Sequence, residues 1–518
     1  MKGCKRLIGF KRNRRMRAPL HLLFLLCLLR PVHRLYAVSR LMDDQILILG
    51  GGPAGMAAAM ELSRAGKTPT VIEKASALGG LAKTLKFEEP DGTYLTDIGP
   101  HRFFSKNKYL YDFIENLLGE EWIRVRRQTR FYVDGKYYFY PIRLGNVLKQ
   151  MGPFKAARVL FDYLYERVRK MIKPREMRSF EDYVVTQFGR TLAEFNMLNY
   201  TEKIWGIPCS EISIDWALQR IGGLSIWSTL KKALFKKGGP KTLVDEFYYP
   251  SHGSGLIYET IKKRIEEKGS TVLTHSEPLK IRCEGKRITS VDVKTPEGTK
   301  TYAPPSVVCS IPVTEAVKLF DPPAPKEVLA AAKNLRFRAQ AYLFLTINRE
   351  FVTRDNWVYY PDKSIPFGRF SEMKNFSRFM SPPGKTSLFV EFFCFEGDGI
   401  WNMSKDELFT LAIEWFEKLK LLRKDEVLSV HHYKASHVYP IYDLLYKERL
   451  TTIMEYLDGF ENFFAIGRPG RFRYTNQDHS LEMGILAARS IIEGRRMDIE
   501  NVGKEKEYFE RGFIPTEK

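Results

Sequence analysis

The stretch that most constrains the fold is a glycine-rich turn at residues 50–55, between an apolar segment and a helix-like one. Residues 46–49 are all aliphatic and predict a buried strand; Gly50, Gly52 and Gly55 then fit the pattern G-x-G-x-x-G. In a β-α-β unit such glycines allow a tight turn, close approach of backbone to a pyrophosphate, and close packing of helix on strand. Glu73 ends a second predicted strand, where a carboxylate can accept hydrogen bonds from ribose hydroxyls. Together these features predict a dinucleotide site.

A glycine pair narrows the choice of dinucleotide. Gly79 and Gly80 follow soon after Glu73. This arrangement resembles the extended fingerprint of FAD-binding enzymes in the amine oxidase and protoporphyrinogen oxidase superfamily, which simple nicotinamide dehydrogenases usually lack. The resemblance implies FAD as the cofactor.

Composition and charge limit the class of protein. A chain of 518 residues, 44% apolar and 13% aromatic, is long enough for two or three domains with well-filled cores. The net charge is +21, and residues 1–41 contribute 11 of it without a single acid, which leaves +10 for the rest. A basic body suits an anionic small molecule or an acidic membrane surface. No RNA- or DNA-binding motif accompanies the charge, so nucleic acid is not an expected partner.

The cysteine pattern indicates a reducing compartment. Six cysteines are scattered without a C-x-x-C pair, which favours free thiols over a disulfide framework or a metal site. We therefore expect a cytoplasmic protein without a bound metal.

The N-terminal segment before Met42 allows three interpretations. A basic stretch at residues 5–17 precedes an apolar run at residues 20–29, which is short for a membrane span of ~20 residues but suits a signal peptide. A second interpretation is a basic amphiphilic anchor that would associate the protein peripherally with a membrane. The third, slightly favoured, takes Met42 as the true start, because it directly precedes the first strand.

The pattern along the chain predicts an α/β fold with a discontinuous Rossmann-type FAD-binding domain, a helical insert and an antiparallel β-sheet substrate domain. After the extension at 1–41, the predicted limits are 42–105, 241–325 and 446–518 for the FAD-binding parts, 106–240 for the mainly helical insert, and 326–445 for the antiparallel sheet. The insert carries helical periodicity with few glycines, for example at residues 156–165.

Several distant segments together resemble the UDP-galactopyranose mutase family. Residues 200–206 are similar to its Y-T-x-K-x-W-G segment, and residues 365–369 to the P-F-x-R segment of its eukaryotic-type members. Residues 473–480 resemble its R-Y-x-x-x-N-Q-D-H-S flavin loop, and residues 99–101 its glycine-histidine loop near the flavin ring. The similar segments occur in the same order, over roughly residues 42–495.

This resemblance implies a role for each matching residue. The cofactor-binding residues are Gly50, Gly52, Gly55, Glu73, Gly79, Gly80, Arg473, Asn476, Asp478 and Ser480; the catalytic residues are His101, Arg369 and Arg336; the substrate-binding residues are Tyr200, Trp205, Arg220, Tyr439 and Tyr474. Arginine suits a diphosphate because it donates charge-assisted, often bidentate hydrogen bonds. Trp205 offers a flat face for uracil, and Arg473 is expected to face the flavin.

Two functions follow as hypotheses. The first is a redox-neutral ring mutase acting on a UDP-sugar for cell-surface polysaccharide synthesis, in which reduced FAD is the nucleophile and NAD(P)H is a candidate reductant. The second is an FAD-dependent oxidoreductase that acts on a lipid, porphyrin or amine, since the same fingerprint occurs in both groups. Either function requires a small-molecule substrate.

Overall fold

The glycine-rich turn follows a central strand of a five-stranded parallel sheet. The computed structural model describes residues 45–105, 107–140, 150–221 and 246–503, except for the side chains of residues 220 and 221. The three interpretations of the N-terminal segment concern residues that lie outside this description.

The described strands and helices have the following bounds. The strands are β1 Leu47–Leu49, β2 Thr70–Ile72, β3 Thr84–Glu89, β4 Gly92–Asp97, β5 Trp122–Arg126, β6 Thr129–Val133, β7 Lys136–Phe139, β8 Glu246–Pro250, β9 Thr271–Leu273, β10 Glu277–Glu284, β11 Arg287–Thr295, β12 Gly298–Tyr302, β13 Val307–Cys309, β14 Phe320–Asp321, β15 Phe337–Ile347, β16 Trp357–Tyr359, β17 Arg369–Glu372, β18 Thr386–Cys394, β19 Val427–Pro440 and β20 Phe463–Ala465. The α-helices are α1 Pro53–Arg64, α2 Lys108–Leu118, α3 Pro153–Ile172, α4 Phe180–Phe188, α5 Arg190–Leu192, α6 Asn199–Trp205, α7 Ile214–Ile221, α8 Gly255–Glu266, α9 Val313–Ala316, α10 Lys326–Asn334, α11 Gly399–Asn402, α12 Lys405–Lys418, α13 Tyr446–Asp458, α14 Gly467–Gly470 and α15 Gln477–Glu493. A π-helical segment, Ala193–Leu198, connects α5 to α6.

The parallel sheet has the strand order β9-β2-β1-β13-β20. The chain builds outwards from β1 through β2 to β9 and then returns to the other side of β1, so the order reverses between β1 and β13. Ligands of such sheets bind outside the carboxyl ends of the strands at this switch point. Gly50 follows β1 and Ser310 follows β13, which places the glycine-rich turn at the crevice. The predicted Rossmann-type fold, assembled from separate pieces of the chain, is confirmed.

A seven-stranded sheet forms the second large layer, with the order β19-β15-β18-β17-β16-β6-β7. Neighbouring strands in it are antiparallel except β16 and β6. Side chains alternate between the two faces of a strand, and β18 uses both. Val390 and Phe392 join the apolar core that includes α12, whereas Phe389 and Phe393 join an aromatic core on the other face. Glu391, between them, shares the aromatic face.

The elements agree with one local prediction and differ at another place. The helical periodicity at residues 156–165 corresponds to α3. Strands β6 and β7, however, lie within the region predicted to be mainly helical and extend the seven-stranded sheet. The domain limits themselves stay a prediction. In the described ranges, no helix combines the length and the apolar character that crossing a membrane requires.

Candidate functional site

A cavity of about 1070 Å³ lies at the switch point of the parallel sheet and extends to the seven-stranded sheet. We call one part the dinucleotide end; it includes Gly50, Gly52, Glu73, Gly80 and Ser480. We call the other part the tyrosine end; it includes His101, Tyr200, Tyr359, Arg369 and Tyr439. A ligand pocket typically measures about 300–1,000 Å³, so this volume suits a dinucleotide together with a second molecule.

The glycine-rich turn has the shape that a pyrophosphate requires. Gly50 has a φ of +103°, and a Cβ on Gly55 would lie 2.0 Å from the carbonyl oxygen of Gly50. Helix α1 begins at Pro53 without a side-chain cap or an acidic residue in its first turn. The positive end of the helix dipole therefore faces the cavity, where it would attract a phosphate.

The acid at the end of β2 is held in place by backbone groups. The two oxygens of Glu73 accept hydrogen bonds from the amides of Gly51 and Ala75, each at 2.8 Å. The amide of Gly79 donates to the carbonyl of Gly51 at 2.8 Å, so the second glycine pair packs on the first turn. The carboxylate is thereby fixed at the dinucleotide end, and its contact with a ribose stays a prediction.

The C-terminal flavin loop contributes only part of its predicted residues to the cavity. Asn476 and Ser480 line it. Arg473 instead donates to the backbone carbonyls of Glu500 and Val502, at 3.0 and 2.7 Å, and does not line the cavity. Asp478 is 3% exposed and likewise lies behind the wall. The two carbonyls hold the Arg473 guanidinium away from the cavity, directly after the turn at Phe472, whose φ is +47°.

His101 lies at the tyrosine end above a buried carboxylate. Its Nε2 is 2.9 Å from the carbonyl oxygen of Ile98. Asp97 is fully buried and accepts hydrogen bonds from the hydroxyls of Thr84 and Tyr249 at 2.6 and 2.7 Å. Burial raises the pKa of Asp97 and lowers that of His101, each opposed by the charge of the other. His101 thus presents a polar ring at the cavity wall.

Arg369 is fixed by a buried ion pair. Its Nε and Nη2 donate to the two oxygens of Glu391 at 2.5 and 2.7 Å, and Glu391 is 1% exposed. Gln340 donates to Glu391 at 3.1 Å, and the Tyr342 hydroxyl donates to the Gln340 oxygen at 2.7 Å. All four residues line the cavity. The network holds the guanidinium in one orientation, although burial opposes its charge.

Aromatic rings surround this guanidinium. Tyr200 and Tyr359 meet edge to face with ring centres 5.2 Å apart, and Tyr439 and Tyr474 stack at 5.6 Å. Burial raises the pKa of the Tyr200 hydroxyl well above its usual value, so this phenol stays neutral. The predicted residues Tyr200, Tyr439 and Tyr474 are thus brought together with Arg369.

Two other predicted residues do not line the cavity, and the side chain of a third is not described. Trp205 is fully buried and packs against Trp216 and Tyr442, with ring centres 4.8 and 5.6 Å apart. Arg336 is exposed, and its guanidinium lies 5.9 Å from the ring of Phe395. The side chain of Arg220 lies outside the described residues.

Among the basic residues that line the cavity but were not singled out in the sequence analysis, two lie against its aromatic rings. Arg468, in α14, lies 4.9 and 4.4 Å from the ring centres of Tyr439 and Tyr474 and donates to the carbonyl of Val438 at 2.7 Å. Arg127 is 8% exposed and lies over the ring of Trp357 at 5.5 Å. The turn after the last apolar strand could have indicated Arg468; no sequence signal distinguishes Arg127.

The comparisons with known proteins concern the family and the fold of the chain. The family model described as "Flavin containing amine oxidoreductase" matches residues 53–492. The L-amino-acid oxidases of Demansia vestigiata and Pseudechis australis are 23% and 24% identical to the chain over 351 and 356 residues. Each alignment covers 62% of this chain and 64% of the relative, so the chain spans less than two thirds of the length of these relatives.

Solved structures share the fold. A reduced UDP-galactopyranose mutase has a TM-score of 0.75 at 21% identity, covering 89% of this chain and 96% of that one. A putrescine oxidase variant has a TM-score of 0.58 at 14% identity, covering 87% and 99%. The family model spans most of the chain and the dinucleotide end fits the cofactor in shape and charge. The chain therefore belongs to the family of flavin-containing amine oxidoreductases, and its cofactor is FAD.

Proposed function

We propose that the protein is an FAD-dependent ring mutase that acts on a nucleoside diphosphate sugar, with a UDP-hexose as the first candidate. The observation that supports this most is the arginine at the tyrosine end. Arg369 is held in one orientation among flat aromatic rings, in the same cavity as the dinucleotide end. A diphosphate needs a fixed cation and a base needs a flat face, so this end suits both parts of a nucleotide.

Arg369 can bind an anion while it remains paired. A guanidinium carries five N–H donors, and Glu391 takes two of them. Because Glu391 already balances its charge, a diphosphate needs a second cation nearby. Arg127 and Arg468 line the same cavity and are the candidates.

Tyr200 takes the place that the sequence analysis assigned to Trp205. Both residues belong to α6, but Tyr200 lines the cavity and Trp205 is fully buried. We assign the contact with the base to Tyr200, with Tyr359 supporting its ring at 5.2 Å.

The residues of the chain then have distinct tasks. Reduced FAD, when bound, supplies the nucleophile for a displacement at the anomeric carbon of the sugar. Arg369 stabilises the negative charge that develops on the departing diphosphate. Gly50, Gly52 and Glu73 fix the cofactor at the dinucleotide end, and the aromatic rings exclude water from the sugar.

The test is anaerobic turnover by the purified holoenzyme reduced with dithionite. We expect it to convert UDP-galactopyranose, or a closely related UDP-hexose, into the furanose isomer, as separated by ion-pair chromatography. The Tyr200→Ala variant should bind UDP at least about fivefold more weakly, because a stacked aromatic contributes about 1–3 kcal/mol per base. Trp205→Phe, which keeps the buried aromatic packing, is the matched control and should bind like the parent. Lack of turnover across a panel of UDP-hexoses would refute the proposal.

A second candidate is an amino-acid or amine oxidoreductase. The sequence relatives are L-amino-acid oxidases, and a guanidinium beside a carboxylate offers partners for both the carboxylate and the ammonium of an α-amino acid. The same preparation, used oxidised in air, separates the two functions. Oxygen consumption with an L-amino acid, measured with an electrode, would support this candidate.

A further inference from the structure

Helix α3 presents an apolar face to solvent. Nine residues at helical spacing share this exposed side, which we call the α3 face: Phe154, Ala157, Leu160, Phe161, Leu164, Tyr165, Val168, Met171 and Ile172. Phe154 is 92% exposed, Met171 86% and Ile172 79%. At about 100° per residue these nine positions occupy an arc of about 140°. The helix is amphipathic, but its apolar side is the outer one.

The opposite side of α3 is attached to the protein through polar groups and one buried valine, Val159. Asp162 accepts hydrogen bonds from the amide and the hydroxyl of Thr191, at 3.0 and 2.5 Å. Glu166 is 6% exposed and pairs with Arg175 at 3.4 Å. An ordinary surface helix buries its apolar side instead. The orientation of α3 is therefore fixed by these inner contacts, and its apolar side is held outwards.

The α3 face is larger than the apolar patches that monomeric proteins usually expose. Its three aromatic residues are 92%, 68% and 56% exposed, and a fully buried aromatic side chain covers about 150–250 Å². These three side chains alone expose on the order of 400 Å², and the aliphatic residues and Met171 about double that area. Typical largest patches measure about 300–600 Å², so a further surface is needed to cover this one.

The charges around the α3 face indicate what kind of partner surface can cover it. Arg158 and Arg169 follow one edge of the arc and Arg167 the other, by the same helical spacing. The two acids of the helix, Asp162 and Glu166, are on its inner side. A basic rim around an apolar stripe fits the boundary between anionic headgroups and acyl chains.

We propose that the α3 face docks the protein on an anionic lipid bilayer, with the helix lying in the plane of the interface. Its 20 residues span about 30 Å, and its basic residues prevent it from crossing the membrane. The face is close to the site: α3 packs on α4 and α5, and the adjoining π-helical segment contributes Asn196 and Met197 to the cavity wall. Docking would bring this wall near the headgroups whatever the substrate is.

The experiment is flotation of the full-length holoenzyme with lipid vesicles. We expect it to float with vesicles of phosphatidylcholine and phosphatidylglycerol mixed two to one, and at least tenfold less with phosphatidylcholine alone. Phe161→Ser/Leu164→Ser should lower binding at least tenfold, as should Arg158→Gln/Arg169→Gln. The matched control, Phe379→Ser/Leu428→Ser, removes the same residue types from exposed sites elsewhere, 44% and 47% exposed, and should float like the parent. Bound FAD and circular dichroism verify the fold of every variant.

Three outcomes would overturn the proposal. Lack of flotation with anionic vesicles excludes the bilayer as the occupant. A dimer that Phe161→Ser/Leu164→Ser converts to a monomer, measured by light scattering, assigns the face to a second copy. A loss of thermal stability in that variant, with neither flotation nor oligomeric state changed, assigns it to the chain's own residues 222–245, whose sequence is also basic and apolar.

Discussion

Arg369 is anchored by a carboxylate before any substrate binds. A buried ion pair contributes little net stability, yet removing one partner leaves an uncompensated charge. The pair thus holds a cation at the cavity wall, and its desolvation lowers the free energy of unfolding.

This leads to a prediction that separates stability from binding. Arg369→Leu should lower the free energy of unfolding by about 3 kcal/mol, because Glu391 is left buried and unpaired. Arg369→Leu/Glu391→Leu should regain most of that stability but still fail to bind UDP. Chemical denaturation and titration with UDP measure the two effects. Arg336→Leu removes an exposed arginine and should change neither; equal stability of the single and double variants would contradict the argument.

Asp478 gives a prediction about pH. Burial raises the pKa of its carboxyl to about 7, and one of its oxygens has no hydrogen-bond partner in the described chain. The folded form therefore binds the extra proton, so the stability that the neutral carboxyl contributes is complete below about pH 4 and is lost as the pH rises through about 7.

We expect the melting temperature of the FAD-saturated protein to fall between pH 5 and pH 8, and Asp478→Asn to flatten that fall. Over the whole pH range, the titration of Asp478 changes the free energy of unfolding by at most ~4 kcal/mol. Differential scanning calorimetry of parent and variant in parallel isolates the contribution of this group. A variant whose pH profile is parallel to that of the parent would show that Asp478 does not titrate in this range.

Residues close in sequence to a recognisable motif could be predicted well, whereas the direction of a side chain could not. Glu73 and the glycines follow from local pattern, since strand, turn and helix are contiguous. Tyr200 and Trp205 belong to one motif, but positions with their separation on a helix point about 140° apart. One ring therefore faces the cavity and the other the core, and only the packing of α6 decides which.

At the scale of elements, two helices approach so closely that glycine is required. A Cβ on Gly55 would lie 2.0 Å from the carbonyl oxygen of Gly50, and one on Gly484 would lie 2.0 Å from that of Ala54. Helix α1 is thus pressed against the end of β1 on one side and against α15 on the other.

Gly55→Ala should therefore weaken FAD binding and lower stability by about 1–3 kcal/mol or more, because α1 must shift away from the turn. Gly399→Ala is the matched control: nothing lies within 4 Å of its added Cβ. Flavin absorbance after gel filtration and thermal melting measure the effect. Full FAD content in Gly55→Ala would show that the turn accommodates the methyl group.

The arrangement of strands in a sheet depends on contacts between residues that are far apart in the sequence. Such contacts are harder to predict from the sequence than local structure. The parallel sheet follows from apolar strands with glycine turns. The addition of β6 and β7 to the seven-stranded sheet does not, because β6 pairs with β16, a strand from a much later part of the chain. Local alternation predicts a strand but not its neighbour.

At the scale of the whole molecule, the cavity collects residues from nearly the entire described chain. Gly50 and Glu73 come from its beginning, Ser310 from its middle, and Arg468 and Ser480 from near its end. The parallel sheet likewise combines early and late segments of the chain, because β20 pairs with β13, which lies next to β1. Both the sheet and the cavity wall therefore need segments from the two ends of the described chain.

Because of this topology, flavin binding depends on how much of the chain has been synthesised. A nascent chain that has emerged only to β13 has the glycine-rich turn but lacks β20 and α15 beside it. Such a chain lacks part of the cavity wall, so we expect it to hold the cofactor more weakly than the folded protein does. Once bound, the cofactor links the early and late segments, and its removal would loosen both at once.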